Sequence, residues 1–299
     1  MNAITKNYFH LHFIIFIWGF TAILGALISI DAIPLVWFRV TLATLFLYVF
    51  IRLKKVKIQV PFSVLIRYIF GGVLIAIHWI TFFYAIKIAT ISIALAAMST
   101  GALFVTLIQW TVFKKKLIPY ELLFSLLAIV GLVVIFNAEG QYFIGIVIAL
   151  LSSFLSACFS ILNSNLIKNN SATIISFYEL FFASIFIGIV LLVNGTIDGQ
   201  FFVLSSRDWL YLLLLASVCT AYAFAASNQV LKSVSPFTMM LSINLEPIYG
   251  IILAIIIFRE KEIMTTNFYY GALLILVTVI LNGVIKLKKK HKTTVVSKT

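Results

Sequence analysis

Long apolar runs recur along almost the whole chain, cut only by short polar separators, and that pattern leaves few folds open. A helix that crosses the hydrocarbon core of a bilayer needs roughly 20 apolar residues. Ten runs of about that length can be read, at 8–29, 33–52, 63–86, 90–113, 118–136, 141–166, 172–193, 208–230, 236–258 and 265–285. The separators include Asp31-Ala32-Ile33-Pro34, the basic run Arg52 to Lys57, Lys114-Lys115-Lys116 and Asn137 to Gly140; the narrowest is Lys87 to Ala89. Backbone polar groups in lipid must bond within their own segment, so each run is expected to be a helix. Of 299 residues, 63% are hydrophobic and 10% are charged, against about 45–50% and about 25% in a soluble domain. The expected class is therefore an all-α polytopic membrane protein with ten transmembrane helices and no room for a sizeable soluble domain.

The charge balance sets the orientation. The net charge of +13 would point to nucleic acid in a soluble protein; here no nucleic-acid partner is expected, because Lys and Arg concentrate in cytoplasmic loops. With the N-terminus inside, 17 of the 22 basic residues fall on the cytoplasmic side, from Lys6 through the Arg52–Lys57 and Lys114–Lys116 runs to Lys298. Four fall outside: Lys87, Arg207, Arg259 and Lys261. The reverse orientation would invert that ratio. Cys158 and Cys219 both sit in apolar segments and form neither a metal spacing nor a disulfide framework. No cleavable leader is expected from Met1 to Asn7, since the apolar stretch they precede is too long.

The two halves align on each other. Lys87–Lys116 falls on Lys232–Lys261 without gaps, 145 residues later, and Arg39 falls on Glu179 at an offset of 140. This divides the chain into a first repeat at 1–139, a second at 140–285 and a basic cytoplasmic tail at 286–299. Five spans per half is an odd number, so the second half enters the membrane from the opposite side. Such inverted repeats are common in secondary transporters, which bind substrate near the midplane where the repeats meet.

Three formal charges lie well inside spans: Arg39, Glu179 and Glu246. Each costs roughly 2.5–3.5 kcal/mol at a helix centre, so such residues face a bundle interior or a water-filled cavity. Glu246 lies ten residues into its span, roughly 15 Å deep at 1.5 Å per residue. Pro247 follows it and removes a backbone donor, so Asn244-Leu245-Glu246-Pro247 is the expected kink, with free carbonyls beside a carboxylate. Arg39 is placed to neutralise a buried acid or to bind a carboxylate or phosphate. A pair between Arg39 and Glu179 across the pseudo-symmetry axis is one arrangement; an architectural role for each is the other. His78, beside Trp79, titrates near neutrality when unperturbed and would suit proton coupling, although an intramembrane histidine also serves as a hydrogen-bonded packing residue.

Polar stripes complete the picture. Ser152, Ser156, Ser160 and Ser164 share one helical face, which reads first as a close-packing seam and second as a pathway wall. Ser99, Ala102, Thr106 and Gln109 mark one face of span four, and Ser217, Thr220, Phe224 and Ser227 one of span eight. Tyr249, one helical turn from Glu246, joins the candidate pathway with Ser99 and Asn244. No phosphate-binding loop, metal motif or nucleophile elbow is present, so no cofactor, no metal site and no enzymatic activity are expected. A membrane-embedded enzyme or lipid-handling protein is the alternative class, but it would need a catalytic cluster that the chain does not display. A sensor would want an output domain.

These residues resemble an EamA-type member of the drug/metabolite transporter superfamily over nearly the whole length. The resemblance is carried by Trp18-Gly19-Phe20, Phe38-Arg39, Phe83-Tyr84-Ala85-Ile86-Lys87, Phe177-Tyr178-Glu179-Leu180, Leu245-Glu246-Pro247 and Arg259-Glu260. It implies a ten-helix bundle in the bacterial inner membrane with both termini cytoplasmic. It also implies a secondary carrier, often an exporter of amino acids or related metabolites, whose central cavity is lined from both repeats. The implied partners are a small-molecule substrate, the bilayer and a proton as candidate coupling ion; the oligomeric state is left open. The chain departs from the family in span four, where Gly101-Ala102 replaces the proline position and Lys115 the acidic one. That predicts unequal halves and argues against symmetric gating by spans four and nine.

Overall fold

The computed structural model describes residues 3–116 and 119–296. Lys298 of the basic tail and Ile118, where the fifth expected span begins, lie outside them. All described secondary structure is helical. The first repeat supplies α1 (Ala3–Leu27), α2 (Ala32–Leu53), α3 (Phe62–Ile88), α4 (Ile91–Met98), α5 (Gly101–Thr111) and α6 (Pro119–Ala138). The second supplies α7 (Phe143–Leu166), α8 (Ala172–Val193), α9 (Ser206–Ala216), a π-helical turn (Ser217–Tyr222), α10 (Ala223–Val230), α11 (Pro236–Ile243), α12 (Glu246–Phe258) and α13 (Thr266–Val296).

Seven helical spans are long and apolar enough to cross a membrane: Phe9–Leu27, Ala32–Leu53, Phe62–Ile88, Ile91–Thr111, Gly140–Leu166, Ala172–Val193 and Ser206–Val230. The other three expected spans are also helical. Their continuous apolar stretches are shorter among the described residues, at Leu126–Ala138 in α6 and Thr266–Thr278 in α13, and α11–α12 is interrupted.

The interruption falls where the proline predicts it, at Asn244–Leu245, with Pro247 in the first turn of α12. Span four is interrupted as well, at Ser99–Thr100, which are the same positions 145 residues earlier. The missing proline therefore does not leave the first half unbroken. Hydroxyls do the work instead: Ser99 Oγ donates to the Leu95 carbonyl (3.3 Å) and Thr100 Oγ1 to that of Ala97 (2.7 Å). Such bonds compete with the helical ladder, and Gly101, a poor helix former, follows them.

Elements of the two halves interleave. α3 lies against α7 and α8, α2 against α8, α1 against α12, and α6 against α13. Close approach depends on glycine where α3 meets α8: a Cβ on Gly72 would lie 2.7 Å from the Glu179 carbonyl oxygen and 3.0 Å from the Ala183 nitrogen. At one end of the bundle, three buried carboxylates bind loop and helix-start donors. Glu262 accepts from Ile91 N, Ser92 N and Ser92 Oγ (2.8–3.0 Å). Glu139 accepts from Thr265 N and Oγ1 (2.9 and 2.8 Å). Asp208 accepts from Ser29 N, Ser29 Oγ and Ser205 Oγ (2.7–2.8 Å).

The backbone on the far side of Gly72 cannot yield as a side chain would. Gly72→Ala should therefore destabilise the protein by about 1–3 kcal/mol, read as a lower thermal unfolding midpoint in detergent. An unchanged midpoint would show that α3 and α8 are not held at this distance.

Candidate functional site

Arg39, on α2, is 1% exposed, and three contacts hold it there. Its Nε donates to Thr220 Oγ1 at 2.6 Å. Its guanidinium carbon stands 4.0 Å from the centre of the Trp79 ring and 5.4 Å from that of Phe83, within the range of a cation–π contact. Thr220 is available because the chain forms a π-turn there: its hydroxyl donates to the Leu215 carbonyl, five residues back (2.7 Å). Single π-turns inside helices recur at functional sites. The same hydroxyl thus donates to backbone while accepting from Arg39, which fixes both groups.

Arg39 and Trp79 open onto a central cavity shared with Glu246 and His78. The cavity offers about 100 Å³ to the centres of water-sized spheres, several times the roughly 10–15 Å³ that one water needs. Both repeats contribute. Trp18, Phe82 and Met98 come from the first, and Ser156, Phe159, Ser160, Phe224, Ser227, Asn228 and Met240 from the second. Glu246 opens α12 just past the break. It forms no direct hydrogen bond with Arg39, whose buried Nη1 has no partner. Ser160 Oγ is likewise unpartnered.

His78 is set by α7. Ser152 Oγ donates to the His78 carbonyl (2.8 Å), and His78 Nδ1 lies 2.9 Å from the Ser152 carbonyl. A carbonyl only accepts, so Nδ1 carries a proton in this contact. The serine stripe is thereby divided. Ser152 orients the histidine, Ser156 and Ser160 wall the cavity, and Ser164 bonds its own backbone at Ile161 (2.8 Å).

The remaining candidates lie elsewhere. Ser99 and Pro247 border a separate recess between α4, α12 and α13. Asn244 is buried in the break with its Nδ2 unpartnered, and Tyr249 packs edge-on against Phe16 at 5.5 Å. Glu179 does not meet Arg39: its Oε2 accepts from Asn163 Nδ2 at 3.1 Å. The Arg39–Glu179 pair is replaced by Arg39 with Thr220 and Trp79, because Glu179 points to α7 and α3 rather than α2. Asn163 and Asn228 are site residues that the sequence reading did not single out. Each sits among other polar residues near its helix end, Ser164 and Asn165 beside Asn163 and Ser227 and Gln229 beside Asn228, and its partner lies on another helix.

Comparison with known proteins now bears on this geometry. The family model described as the EamA-like transporter family matches residues 8–137 and again 143–284. The chain belongs to the EamA-like transporter family. It is a multi-pass membrane protein of the drug/metabolite transporter type, built as two EamA repeats. No curated protein matches the sequence. A solved structure described as "Crystal structure of protein" is similar over 94% of this chain and 98% of its own, with a TM-score of 0.68 and 15% identity. At that identity the likeness is one of fold. Members of the EamA family are transporters.

Thr220→Val keeps the shape but removes the acceptor for Arg39 Nε. Leaving that donor buried and unpaired should cost about 1–3 kcal/mol, measured as a lower unfolding midpoint, and Thr220→Ser should restore it. Equal midpoints for Thr220→Val and the wild type would show that Thr220 does not hold the guanidinium.

Proposed function

We propose that the chain is a secondary active transporter that exports a small zwitterionic metabolite, such as an amino acid or related compound, by alternating access. One observation carries the reading: an unpartnered Arg39 Nη1 and the carboxyl of Glu246 share a single aromatic-walled cavity. A guanidinium binds a carboxylate with planar, charge-assisted hydrogen bonds, and a carboxylate receives an ammonium. Trp18, Phe82, Phe159 and Phe224 would then cover the substrate's side chain. His78 Nε2 and Glu246 are the groups that would exchange a coupling proton.

Ten spans in two inverted five-helix repeats, with both termini in the cytoplasm of a cell bounded by this inner membrane, form part of the same reading. The helix breaks at Ser99–Thr100 and Asn244–Leu245 support it, since discontinuous helices facing each other across a repeat interface are a recurrent carrier device. In that orientation Asp208, Glu139 and Glu262 close the external end. The structure would then be a state whose cavity communicates with the cytoplasm.

Profiling the medium of cells that express wild type, Glu246→Gln at equal membrane level, or an empty vector tests this. A zwitterionic metabolite should accumulate outside with wild type only. Accumulation that is equal for wild type and Glu246→Gln would reduce Glu246 to an architectural role. No difference between wild type and empty vector would contradict export.

A further inference from the structure

Behind the cavity wall lies a second buried acid that the transport reading leaves without a task. Glu179 is fully buried on α8. Among the described residues its side chain's one hydrogen bond comes from Asn163 Nδ2, which also donates to Asn228 Oδ1 (2.9 Å), while Asn228 Nδ2 donates to Ser176 Oγ (2.9 Å). This chain of bonds fixes which way both amides point. Three buried oxygens here have no hydrogen-bond partner: the acceptors Glu179 Oε1 and Asn163 Oδ1, and the hydroxyl of Tyr68, which can both donate and accept. Tyr68 is fully buried on α3, one helical turn before Gly71. Glu179 Oε1 rests against Gly71 on the same helix, in the space that a side chain there would fill.

A buried carboxylate needs a compensating charge. Among the described residues no lysine, arginine or histidine is bonded to Glu179. Of the titratable groups on the elements packed around it, α3 presents Tyr68 and α8 its own Tyr178, while α2's Arg39 is turned into the central cavity and α7 and α10 offer the neutral amides of Asn163 and Asn228. Hard cations prefer oxygen ligands, and unpartnered oxygens are what remains here.

We propose that Glu179, with Asn163 and Tyr68, forms a site for a single positive charge, a proton or a sodium ion, separate from the solute cavity. The site communicates with that cavity through one residue: Asn228 lines the cavity and bonds Asn163, which bonds Glu179. Loading or emptying the site changes what Asn163 must donate to, and so the position of Asn228 in the wall. As the coupling site of the carrier, this rests on the transport reading; as a cation site, it stands on the geometry alone.

The test reads binding without a transported solute. The thermal unfolding midpoint of the purified full-length chain in lipid nanodiscs is followed in two series. In one, sodium chloride replaces choline chloride at constant ionic strength; in the other, the buffer passes from mildly alkaline to mildly acidic in choline chloride. Wild type should gain stability in one of the two series. A gain with Na⁺ identifies sodium, and a gain only on acidification identifies the proton. Glu179→Gln should lose that gain. Should Glu179→Gln not fold, Tyr68→Phe decides: it should move the midpoint of the response by about threefold or more in cation concentration, as expected for one hydrogen-bonding group. No response in wild type, an undiminished response in Glu179→Gln, or an unmoved one in Tyr68→Phe would overturn the proposal. A missing cation response in a chain that still exports solute would refute this site and spare the transport reading. A cation response without export would do the reverse.

Discussion

A guanidinium buried in an apolar helical bundle sets the terms for the residues around it. Taken out of water, a charge is tolerated only if its donors are engaged and its field is answered. Arg39 meets this with a ring face and a hydroxyl, those of Trp79 and Thr220, and shares its cavity with the acid Glu246. Each of these is fixed by something further out. Thr220 is presented by a π-turn, and Glu246 by a helix that restarts at the break. Trp79 neighbours His78, which Ser152 holds. The arrangement stops short of self-sufficiency, because the buried Nη1 is left over on a residue that lines the cavity. A group whose last bond is missing only until a solute arrives has the property expected of a binding residue.

The two helix breaks give the cavity its other dimension. They occupy equivalent positions in the repeats and are made by different chemistry, hydroxyl back-bonding at Ser99–Thr100 and proline at Asn244–Leu245. The repeats are thus alike in shape and unlike in charge: only the second places a carboxylate after its break. The asymmetry expected from Gly101-Ala102 is one of chemistry, while the backbone geometry is shared. The glycine contact of α3 with α8 brings the second repeat close to the first, so the wall that holds His78 is shared by both halves.

Much of this was legible in the sequence, for identifiable reasons. Hydropathy marks helices in lipid strongly, so the positions of the segments and the repeat were readable, and rare charges in apolar runs drew attention to Arg39 and Glu246. Adjacency on one helix linked His78 to Trp79. Which charges meet was not legible, because that depends on how α2, α8 and α12 rotate about their axes. Glu179 aligns with Arg39 in the repeat and yet faces away from it. Ser99, Asn244 and Tyr249 follow the right helices but border the breaks and neighbouring seams rather than the cavity. Asn163 and Asn228 gave no local signal, since their meaning lies in a bond between helices 65 residues apart in sequence. Asp208, Glu139 and Glu262 sit in or beside loops, where an acid is ordinary; only their burial against helix-start amides sets them apart.

The central claim is that Arg39 and Glu246 each serve a pole of the solute rather than each other. Counterflow of the exported metabolite in proteoliposomes, compared for wild type, Arg39→Gln, Glu246→Gln and the double variant, tests it most directly. If each charge binds its own pole, both single variants lose exchange and the double variant is no better than either. If the two charges only neutralise one another, removing both relieves the imbalance, and the double variant recovers exchange toward the wild-type rate. That recovery would contradict the account.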